Sequence, residues 1–404
     1  MARVLFAWEL GANYGHLTTD LPVAEALRSS GYEVHFAVPD LRLAAALLEP
    51  AGFPFRAAPR LPTPEGPLRA PVSYAEILLA SGFENEAFIV RLVQDWLRTI
   101  DELRPDALVI DHAPAALTAA VASDTPAILL GSGFTMPPDV SPLPSIRPWE
   151  AVSTERLQRA DSLALSRINR ALALGNRPPL RRLVDLFAGH PALITTFAEL
   201  DPYGPRAACD YLGPLDAENK GLSAQWQTSS GRRIFAYLHA ATPGIDAVLM
   251  ALEECGAEVI CIVPGASAAL MKHFEPTRVR LLDQRVPLEP LLRGADQVVT
   301  HGGQGLIASA LASGVPLLLI PHAVEQYLSA LQVRKLGAGV VLDIDRRERR
   351  QVAQALGELL DREEYRRAAH SFALRHEGFD RRSAARKAAE RIAEHVHERG
   401  KGHA

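Results

Sequence analysis

Short apolar runs alternate with longer stretches of helical spacing along most of the chain. In the N-terminal half, four runs have the length of buried strands: Arg3–Trp8, Glu33–Val38, Ala107–Ile110 and Ala127–Leu130. Three segments between them carry apolar residues at helical spacing: Thr18–Gly31, Leu41–Ala51 and about Ala115 to Ser123. Strands that alternate with helices and are joined by tight turns predict a parallel sheet with right-handed crossovers.

The same alternation begins again near Arg232. Five further runs are predicted strands: Ile234–Leu238, Glu258–Val263, Val279–Leu282, Gln297–Thr300 and Val315–Ile320. From Arg346 onward the pattern is helical and strongly charged, and the mixture of acidic and basic residues indicates a solvated helix face. A chain of 404 residues is too long for one ordinary core, so two α/β domains in series are expected.

The Gly213-Pro214 turn is the expected connection between the domains. It predicts a Rossmann-like N-terminal domain over residues 1–214, a second Rossmann-like domain over 215–375 and a C-terminal helix over 376–404. Ligands of open parallel sheets bind beyond the carboxyl ends of the strands. We therefore expect the functional site in a cleft across which the two domains face each other.

Composition narrows the class of protein. The chain is 48% hydrophobic and 22% charged, as is typical of a globular protein, and its net charge of -4 argues against binding to nucleic acid. Its three cysteines form no CxxC pair, which suits a reducing compartment. The sequence contains no uninterrupted apolar run of about 18 residues, so no integral membrane segment is predicted. We expect a soluble cytoplasmic protein.

The sharpest local motif is His301-Gly302-Gly303-Gln304-Gly305, which follows a strand and opens an apolar helix. Glycines let the backbone come close to a ligand, and the N–H groups at the positive end of a helix suit a diphosphate. The alternative is a glycine turn with a histidine that caps the helix. The next strand ends at the same edge with Pro321, followed by Glu325-Gln326, which offer acceptors and donors for sugar hydroxyls or simply lie in solvent.

Taken together, these residues resemble a known enzyme family. The segment from His301 through Gly314-Val315-Pro316 to Glu325-Gln326 is similar to the donor signature of the inverting glycosyltransferases of GT-B fold, the UDP-glucosyl, UDP-glucuronosyl and macrolide or antibiotic glycosyltransferases. The resemblance implies an acceptor-binding N-terminal domain, a nucleotide-sugar-binding C-terminal domain and a last helix that crosses back onto the first domain. It also implies no catalytic metal and no cofactor, because the nucleotide-sugar is a co-substrate.

The same resemblance implies a catalytic pair. The family's general base follows the first strand and matches His16, and its carboxylate partner ends a later strand and matches Asp111. A helix N-terminus next to His16 disfavours a second proton on the imidazole, and a neutral imidazole is what a general base needs. Both residues could instead cap helices. His112 is a weaker alternative partner.

The sequence departs from the UDP-using members of the family at the ribose. Where they carry a glutamate this chain has Ser309, and Leu306 and Ile307 replace the hydroxyl residues that follow the glycines. The missing carboxylate favours a dTDP-sugar over a UDP-sugar, because deoxyribose has one hydroxyl fewer. The resemblance also places Val286-Pro287-Leu288 beside the base, although an ordinary proline loop is a close alternative.

Acceptor contacts are predicted at Glu9, Tyr14, Phe83 and Phe134 in the N-terminal domain. For Glu9, a bond to local backbone is an equal alternative, and for Tyr14 a packed loop residue. Aromatic residues and proline-rich loops there suggest a small apolar acceptor similar to a natural product. The sugar and the oligomeric state stay open.

Three rival functions are compatible with the same fold. A nucleotide-sugar epimerase would need acidic groups in both domains, and only Glu325 is evident. A non-catalytic nucleotide-binding partner would fit Ser309 but not the retained His16 and Asp111. A lipid-directed transferase would need an exposed apolar patch, for instance near 54–71 or 83–90.

Overall fold

Each half of the chain forms its own parallel sheet. The structure is a computed structural model and describes residues 1–11, 15–60, 70–215, 224–228, 230–284, 286–343 and 347–401. It divides into two compact units. Unit 1 contains residues Met1–Phe197, Pro205–Ala217 and Asp380–Ala404, and unit 2 contains Ala198–Gly204 and Glu218–Phe379. The short segment Ala198–Gly204, placed in the N-terminal domain by the sequence analysis, groups with unit 2.

Unit 1 is built on a seven-stranded sheet in the order β3-β2-β1-β4-β5-β6-β7, with neighbouring strands parallel. Its strands are β1 (Arg3–Trp8), β2 (Glu33–Val38), β3 (Phe55–Ala57), β4 (Ala107–Asp111), β5 (Ala127–Gly131), β6 (Ala192–Ile194) and β7 (Asp210–Tyr211). Its helices are α1 (Gly15–Ser29), α2 (Leu41–Ala51), α3 (Tyr74–Leu78), α4 (Glu86–Leu103), α5 (Pro114–Ser123), α6 (Thr154–Leu172), α7 (Asp185–Ala188) and the last helix, α15 (Arg381–Lys401).

The register between β1 and β4 positions the candidate site of unit 1. Val4 pairs with Ala107 at one end of the two strands and Trp8 pairs with Asp111 at the other. Both strands are buried, and on one face of the sheet Leu5 and Leu108 belong to the same core cluster as Trp96 of α4. The residues that follow β1 and β4 therefore leave the sheet side by side at its carboxyl edge.

The last helix packs on the first one within unit 1. On α15, Ala385, Ala389 and Ile392 are buried, as their helical spacing in the sequence allows. At its outer margin, Arg391 donates to Asp210 at an Nε–Oδ2 distance of 2.9 Å. Burial of this apolar side explains why so charged a helix stays attached to the unit.

Unit 2 is built on a six-stranded sheet in the order β10-β9-β8-β11-β12-β13, again with parallel neighbours. Its strands are β8 (Arg233–Tyr237), β9 (Glu258–Ile262), β10 (Val279–Leu282), β11 (Gln297–Thr300), β12 (Leu317–Leu319) and β13 (Gly339–Val341). Its helices are α8 (Ile245–Glu254), α9 (Ala268–Phe274), α10 (Leu288–Gly294), α11 (Gln304–Ala312), α12 (Val324–Lys335), α13 (Arg349–Asp361) and α14 (Glu363–Arg375).

The predicted α/β class is confirmed, and β1, β2, β10 and β11 have the bounds that the sequence predicts. Gly339 opens β13, where a Cβ would lie 2.3 Å from the Leu317 carbonyl oxygen, so the pairing with β12 requires glycine there. In the described part of the chain, no helix combines the length and the apolar composition that a membrane span requires.

Candidate active site

The sequence-predicted catalytic pair of unit 1 is in contact. His16 Nδ1 and Asp111 Oδ2 lie 2.6 Å apart, with Asp111 at the last position of β4 and His16 in the first turn of α1. The helix begins at Gly15, earlier than the predicted Thr18, so His16 lies inside it and not before it. Because an ionised carboxylate can only accept, the imidazole donates from Nδ1, and Nε2 is the nitrogen that can take a proton.

Two neighbours hold the His16 ring in place. Trp8, at the end of β1, stacks on it with ring centroids 4.8 Å apart and an interplanar angle of 26°. Gly11 approaches from the Nε2 side: it has a φ of +93°, and a Cβ at this position would lie 2.5 Å from Nε2. Neither contact was predicted, although both residues lie within eight positions of His16. The ring is therefore fixed by stacking, by a hydrogen bond and by a residue that has to be glycine.

A second carboxyl group lies near the pair. Asp20, one turn further along α1, is buried, and its Oδ1 has no hydrogen-bond partner in the part of the chain that the structure describes. Burial, and then the negative charge of Asp111, raise the pKa of Asp20 well above its ordinary value. Burial therefore disfavours the charged form of Asp20, and Asp111 is the carboxylate that contacts the imidazole.

His112 faces the interior of unit 1. Its φ is +48°, its Nε2 is buried without a partner among the described residues, and burial followed by the nearby His16 lowers the pKa of His112 to about 3. It borders a cavity of about 10 Å³ with Tyr74 and Phe187, which has room for about one water molecule. A neutral, inward-facing imidazole supports a structural role.

The structure gives Glu9 the backbone role and not the acceptor contact. Its side chain is buried, and the two carboxyl oxygens accept from the backbone N–H groups of Ala115 at 3.0 Å and Ala116 at 2.6 Å. Burial raises the pKa of Glu9 to about 8, while the two backbone bonds act in the opposite direction. Glu9 therefore caps the N-terminus of α5, which has no capping side chain of its own.

The aromatic acceptor contacts are not supported either. Phe83 is fully buried in a π-helical turn before α4, and Phe134 is buried with its ring edge-on to Tyr74. Both side chains pack into the core of unit 1, so an acceptor does not reach them without rearrangement. Tyr14, the remaining predicted contact, lies outside the described residues.

In unit 2 the two predicted donor motifs lie against each other. Gly302, with a φ of +100°, lies so close to the start of α12 that a Cβ would be 3.1 Å from the Gln326 carbonyl oxygen. Gly303 is the N-cap of α11 and provides no side-chain cap, so the first N–H groups of that helix can bind a ligand. The glycine loop and the Glu325-Gln326 segment therefore belong to one edge of the sheet.

His301 is buried at the end of β11. Its Nδ1 has no partner among the described residues, and burial, followed by the nearby His239 and His322, lowers the pKa of His301 to about 4. No role was predicted for these two neighbouring histidines. His239 lies two residues after β8 and His322 three residues after β12, and this position near strand ends was the signal that could have revealed them.

The polar residues of the motifs are partly occupied by the protein itself. Gln304 Nε2 donates to the Leu200 carbonyl at 3.1 Å. Gln326 Oε1 accepts from the backbone N–H groups of His322 and Ala323, so its carbonyl end holds the loop and only its amide end can reach a sugar. Glu325 lies half-buried in the first turn of α12.

The residues predicted to contact the nucleobase and the ribose differ in their exposure. Ser309 is buried, and its hydroxyl donates to the Gly305 carbonyl at 2.7 Å, so the structure does not support a ribose contact for it. Val286 is buried as well, whereas Pro287 and Leu288 are partly exposed at the start of α10. Among the described residues, no three histidine, cysteine or acidic side chains form a group that could hold a metal ion.

Comparison with known proteins finds glycosyltransferases by sequence and by structure. Residues 246–393 match the model of the erythromycin biosynthesis protein CIII-like C-terminal domain. A PGL/p-HBAD biosynthesis rhamnosyltransferase of Mycobacterium tuberculosis is 29% identical over 390 residues, which cover 91% of this chain and 82% of the relative. The calicheamicin glycosyltransferase CalG4 superposes with a TM-score of 0.72 at 19% identity, covering 98% of both chains. The chain is accordingly a glycosyltransferase with the GT-B fold.

A second structural neighbour of this glycosyltransferase carries a ligand. The spinosyn rhamnosyltransferase SpnG complexed with thymidine diphosphate has a TM-score of 0.66 at 20% identity and covers 96% of this chain and all of its own. The GT-B fold expected from the sequence is thereby confirmed.

Replacing Glu9 by Ala should destabilise the glycosyltransferase. The N–H groups of Ala115 and Ala116 would stay buried without their acceptor, so we expect the free energy of unfolding of unit 1 to fall by about 2–4 kcal/mol. Urea denaturation followed by tryptophan fluorescence measures this. Glu84→Ala removes an exposed carboxylate and should cost less than about 0.5 kcal/mol. A raised acceptor KM with unchanged stability would instead return Glu9 to the acceptor site.

Replacing Gly11 by Ala should displace the His16 ring. The new Cβ and Nε2 cannot both keep their places, so we expect kcat to fall by about 10²-fold, a typical general-base contribution. Gly31→Ala is the matched control, because Gly31 also has a positive φ but a Cβ there meets no atom within 4 Å. Equal losses of kcat in the two variants would attribute the effect to backbone strain and not to the imidazole.

Proposed function

We propose that the chain is an inverting hexosyltransferase that moves a sugar from a dTDP-sugar onto a hydroxyl of a small apolar acceptor. The observation that carries the proposal is the 2.6 Å hydrogen bond between His16 Nδ1 and Asp111 Oδ2 at the carboxyl edge of the unit 1 sheet. A histidine oriented by a carboxylate is the usual arrangement of a general base that activates a hydroxyl nucleophile.

In the proposed reaction, His16 Nε2 takes the proton of the acceptor hydroxyl while the acceptor oxygen attacks the anomeric carbon. The bond from that carbon to the diphosphate breaks at the same time, and a nucleoside diphosphate leaves with the electron pair. Asp111 stabilises the imidazolium through Nδ1, and attack from the face opposite the leaving group inverts the anomeric configuration. The Trp8 stack and the Gly11 contact keep the ring in position for this step.

Unit 2 would bind the donor. The uncapped N-terminus of α11, with Gly302 and Gly303 permitting close approach, offers backbone N–H groups to the diphosphate and meets the charge that develops on the leaving group. Glu325 and the amide end of Gln326 would then orient the sugar. Pro287 and Leu288 would lie beside the nucleobase of the donor.

A dTDP-sugar is the donor that we favour. Ser309 lacks the carboxylate that UDP-using relatives direct at the ribose, and its hydroxyl is already engaged within α11. Two structural neighbours are described as complexes with thymidine diphosphate or dTDP, namely SpnG and VinC. Relatives named as rhamnosyltransferases and a rhodosaminyltransferase support a deoxysugar.

The acceptor that we propose is an apolar natural product with a free hydroxyl. SpnG is described in complex with spinosyn aglycone, and 4'-demethylrebeccamycin synthase of Lentzea aerocolonigenes is 32% identical over 157 residues, 38% of this chain and 37% of its own. A lipid-linked acceptor is the second candidate, because it is also apolar, although its hydroxyl belongs to a molecule that is attached to a lipid. An acceptor panel should contain both.

Replacing His16 by Ala should lower the rate of transfer by about 10²–10⁴-fold and leave donor binding nearly unchanged, because the base acts on the acceptor. Asp111→Asn should cause a smaller loss. His35→Ala is the matched control. The imidazole of His35 also lies 2.6 Å from a carboxylate, that of Glu33, but His35 lies near the N-terminal end of β2, whereas the candidate site is at the carboxyl edge of the sheet. Transfer by His16→Ala at a rate near that of His35→Ala would show that another group is the base.

Donor preference can be measured by calorimetry with dTDP and UDP. We expect dTDP to bind about five- to tenfold more tightly, which corresponds to about one hydrogen bond of net difference. Thymidine and uridine serve as controls for the contribution of the diphosphate. Tighter binding of UDP would refute the dTDP assignment without affecting the proposal that His16 is the general base.

A further inference from the structure

Three imidazoles converge at the carboxyl edge of the unit 2 sheet. His239 follows β8, His301 follows β11 and His322 follows β12, and these three strands are neighbours in the sheet. Ring centroids lie 5.1 Å apart for His239 and His301, 5.7 Å for His301 and His322, and 6.5 Å for His239 and His322. We refer to these three residues as the histidine cluster.

The backbone on both sides of the cluster is held by specific hydrogen bonds. The N–H of His239 donates to Thr242 Oγ1 at 3.2 Å, and the N–H of Thr242 donates back to the His239 carbonyl at 2.8 Å. The N–H of His322 donates to Gln326 Oε1 at 3.0 Å. The outer two imidazoles are therefore positioned by turns and are not on free loops.

A buried arginine joins the two outer loops. Arg347 is 5% exposed, and its guanidinium donates to the carbonyl of Pro321, next to His322, and at 3.4 Å to the carbonyl of Pro243, next to the His239 turn. It thereby fixes the distance between the loops and adds a permanent positive charge behind the cluster. Such a charge attracts an anion.

Without an anion, the cluster disfavours positive charge. Burial is the main cause that lowers the pKa of His301 to about 4, and burial followed by His239 and Arg347 lowers the pKa of His322 as well. The groups that act on these rings are one another, Arg347 and the backbone of Tyr237, while Glu325 is the acidic residue in the first turn of α12. Burial and the neighbouring groups therefore disfavour a proton on both His301 and His322.

The geometry favours an anion over a metal ion as the occupant. His301 is 9% exposed and its Nδ1 has no partner among the described residues, so the innermost imidazole has an unused polar atom. No trio of metal-ligating side chains in the described part of the chain, this one included, has the arrangement of a metal site. The N-terminus of α11, beginning directly after the cluster at Gln304, also attracts negative charge.

We propose that His239 and His322 are additional diphosphate-binding residues, which together with His301 form a three-imidazole cradle that takes up protons as the donor binds. The inference rests on the proposed function, because it assumes a nucleoside diphosphate sugar in unit 2. The donor diphosphate brings negative charge next to the three imidazoles and Arg347.

The direction of the pH dependence follows from linkage. A diphosphate beside the cluster favours the protonated forms of the imidazoles, so the complex holds more protons than the separate protein and donor. Donor affinity should therefore rise as the pH falls from 8 to 6. At a higher pH the cluster is neutral in both states, and the additional affinity disappears.

The experiment uses dTDP-glucose and UDP-glucose, whose diphosphates carry no proton that titrates between these pH values. Calorimetry at pH 6 and pH 8, in two buffers of different ionisation enthalpy, gives the affinity and the number of protons taken up. For the wild-type protein we expect about tenfold tighter binding at pH 6 and proton uptake in both buffers.

The test variant is His239→Gln/His322→Gln, because glutamine keeps a hydrogen-bond donor but cannot be protonated. It should bind at pH 8 within about threefold of the wild-type protein and lose the gain at pH 6. His273→Gln, in α9 of the same unit, should behave like the wild-type protein. Thermal unfolding of each variant shows whether it is folded, and the single variants His239→Gln and His322→Gln give a second measurement if the double variant is not.

Each outcome separates the two proposals. If dTDP- or UDP-glucose binds and the double variant keeps the full gain at pH 6, the histidine cradle is refuted and the proposed function stands. If neither donor binds the wild-type protein at either pH, the proposed function fails, and the cradle fails with it.

Discussion

The pairing register of parallel strands is the constraint on which both candidate sites depend. Trp8 opposite Asp111 brings the ends of β1 and β4 to one level, and only this register places the first turn of α1 within hydrogen-bond distance of the β4 carboxylate. A shift by one residue would turn Asp111 to the other side of the sheet. In unit 2, the registers of β8, β11 and β12 bring three loops to a common edge in the same way.

Much of the framework could be predicted because fully buried parallel strands appear as short continuous apolar runs. That signal locates β1 and β11, and with them the loops that contain His16 and His301. The helix α4 was missed although its pattern is just as clear: Ile89, Leu92, Val93 and Trp96 follow the spacing of one helix face.

The details of the sites depend on contacts between residues that are distant in sequence, and local patterns do not show such contacts. In the sequence, Glu9 resembles a charged residue at the start of a loop. Both of its carboxyl oxygens accept hydrogen bonds from the backbone of Ala115 and Ala116, which lie more than a hundred positions later. Phe83 and Phe134 are aromatic residues in irregular segments, and only the packing shows that they are internal. Asp20 is a similar case, since Asp111, the charged residue that acts on it, lies on a strand about ninety positions later.

The close approach of Gly302 to the Gln326 backbone has a consequence for altering donor choice in this enzyme. The segment that would select the sugar and the loop that would bind the diphosphate share a contact with no spare volume, and Gln326 also secures the His322 backbone. Residues grafted from a relative into one segment alone would meet a mismatched surface in the other. The two segments should therefore be exchanged together, so that their shared contact surface is kept.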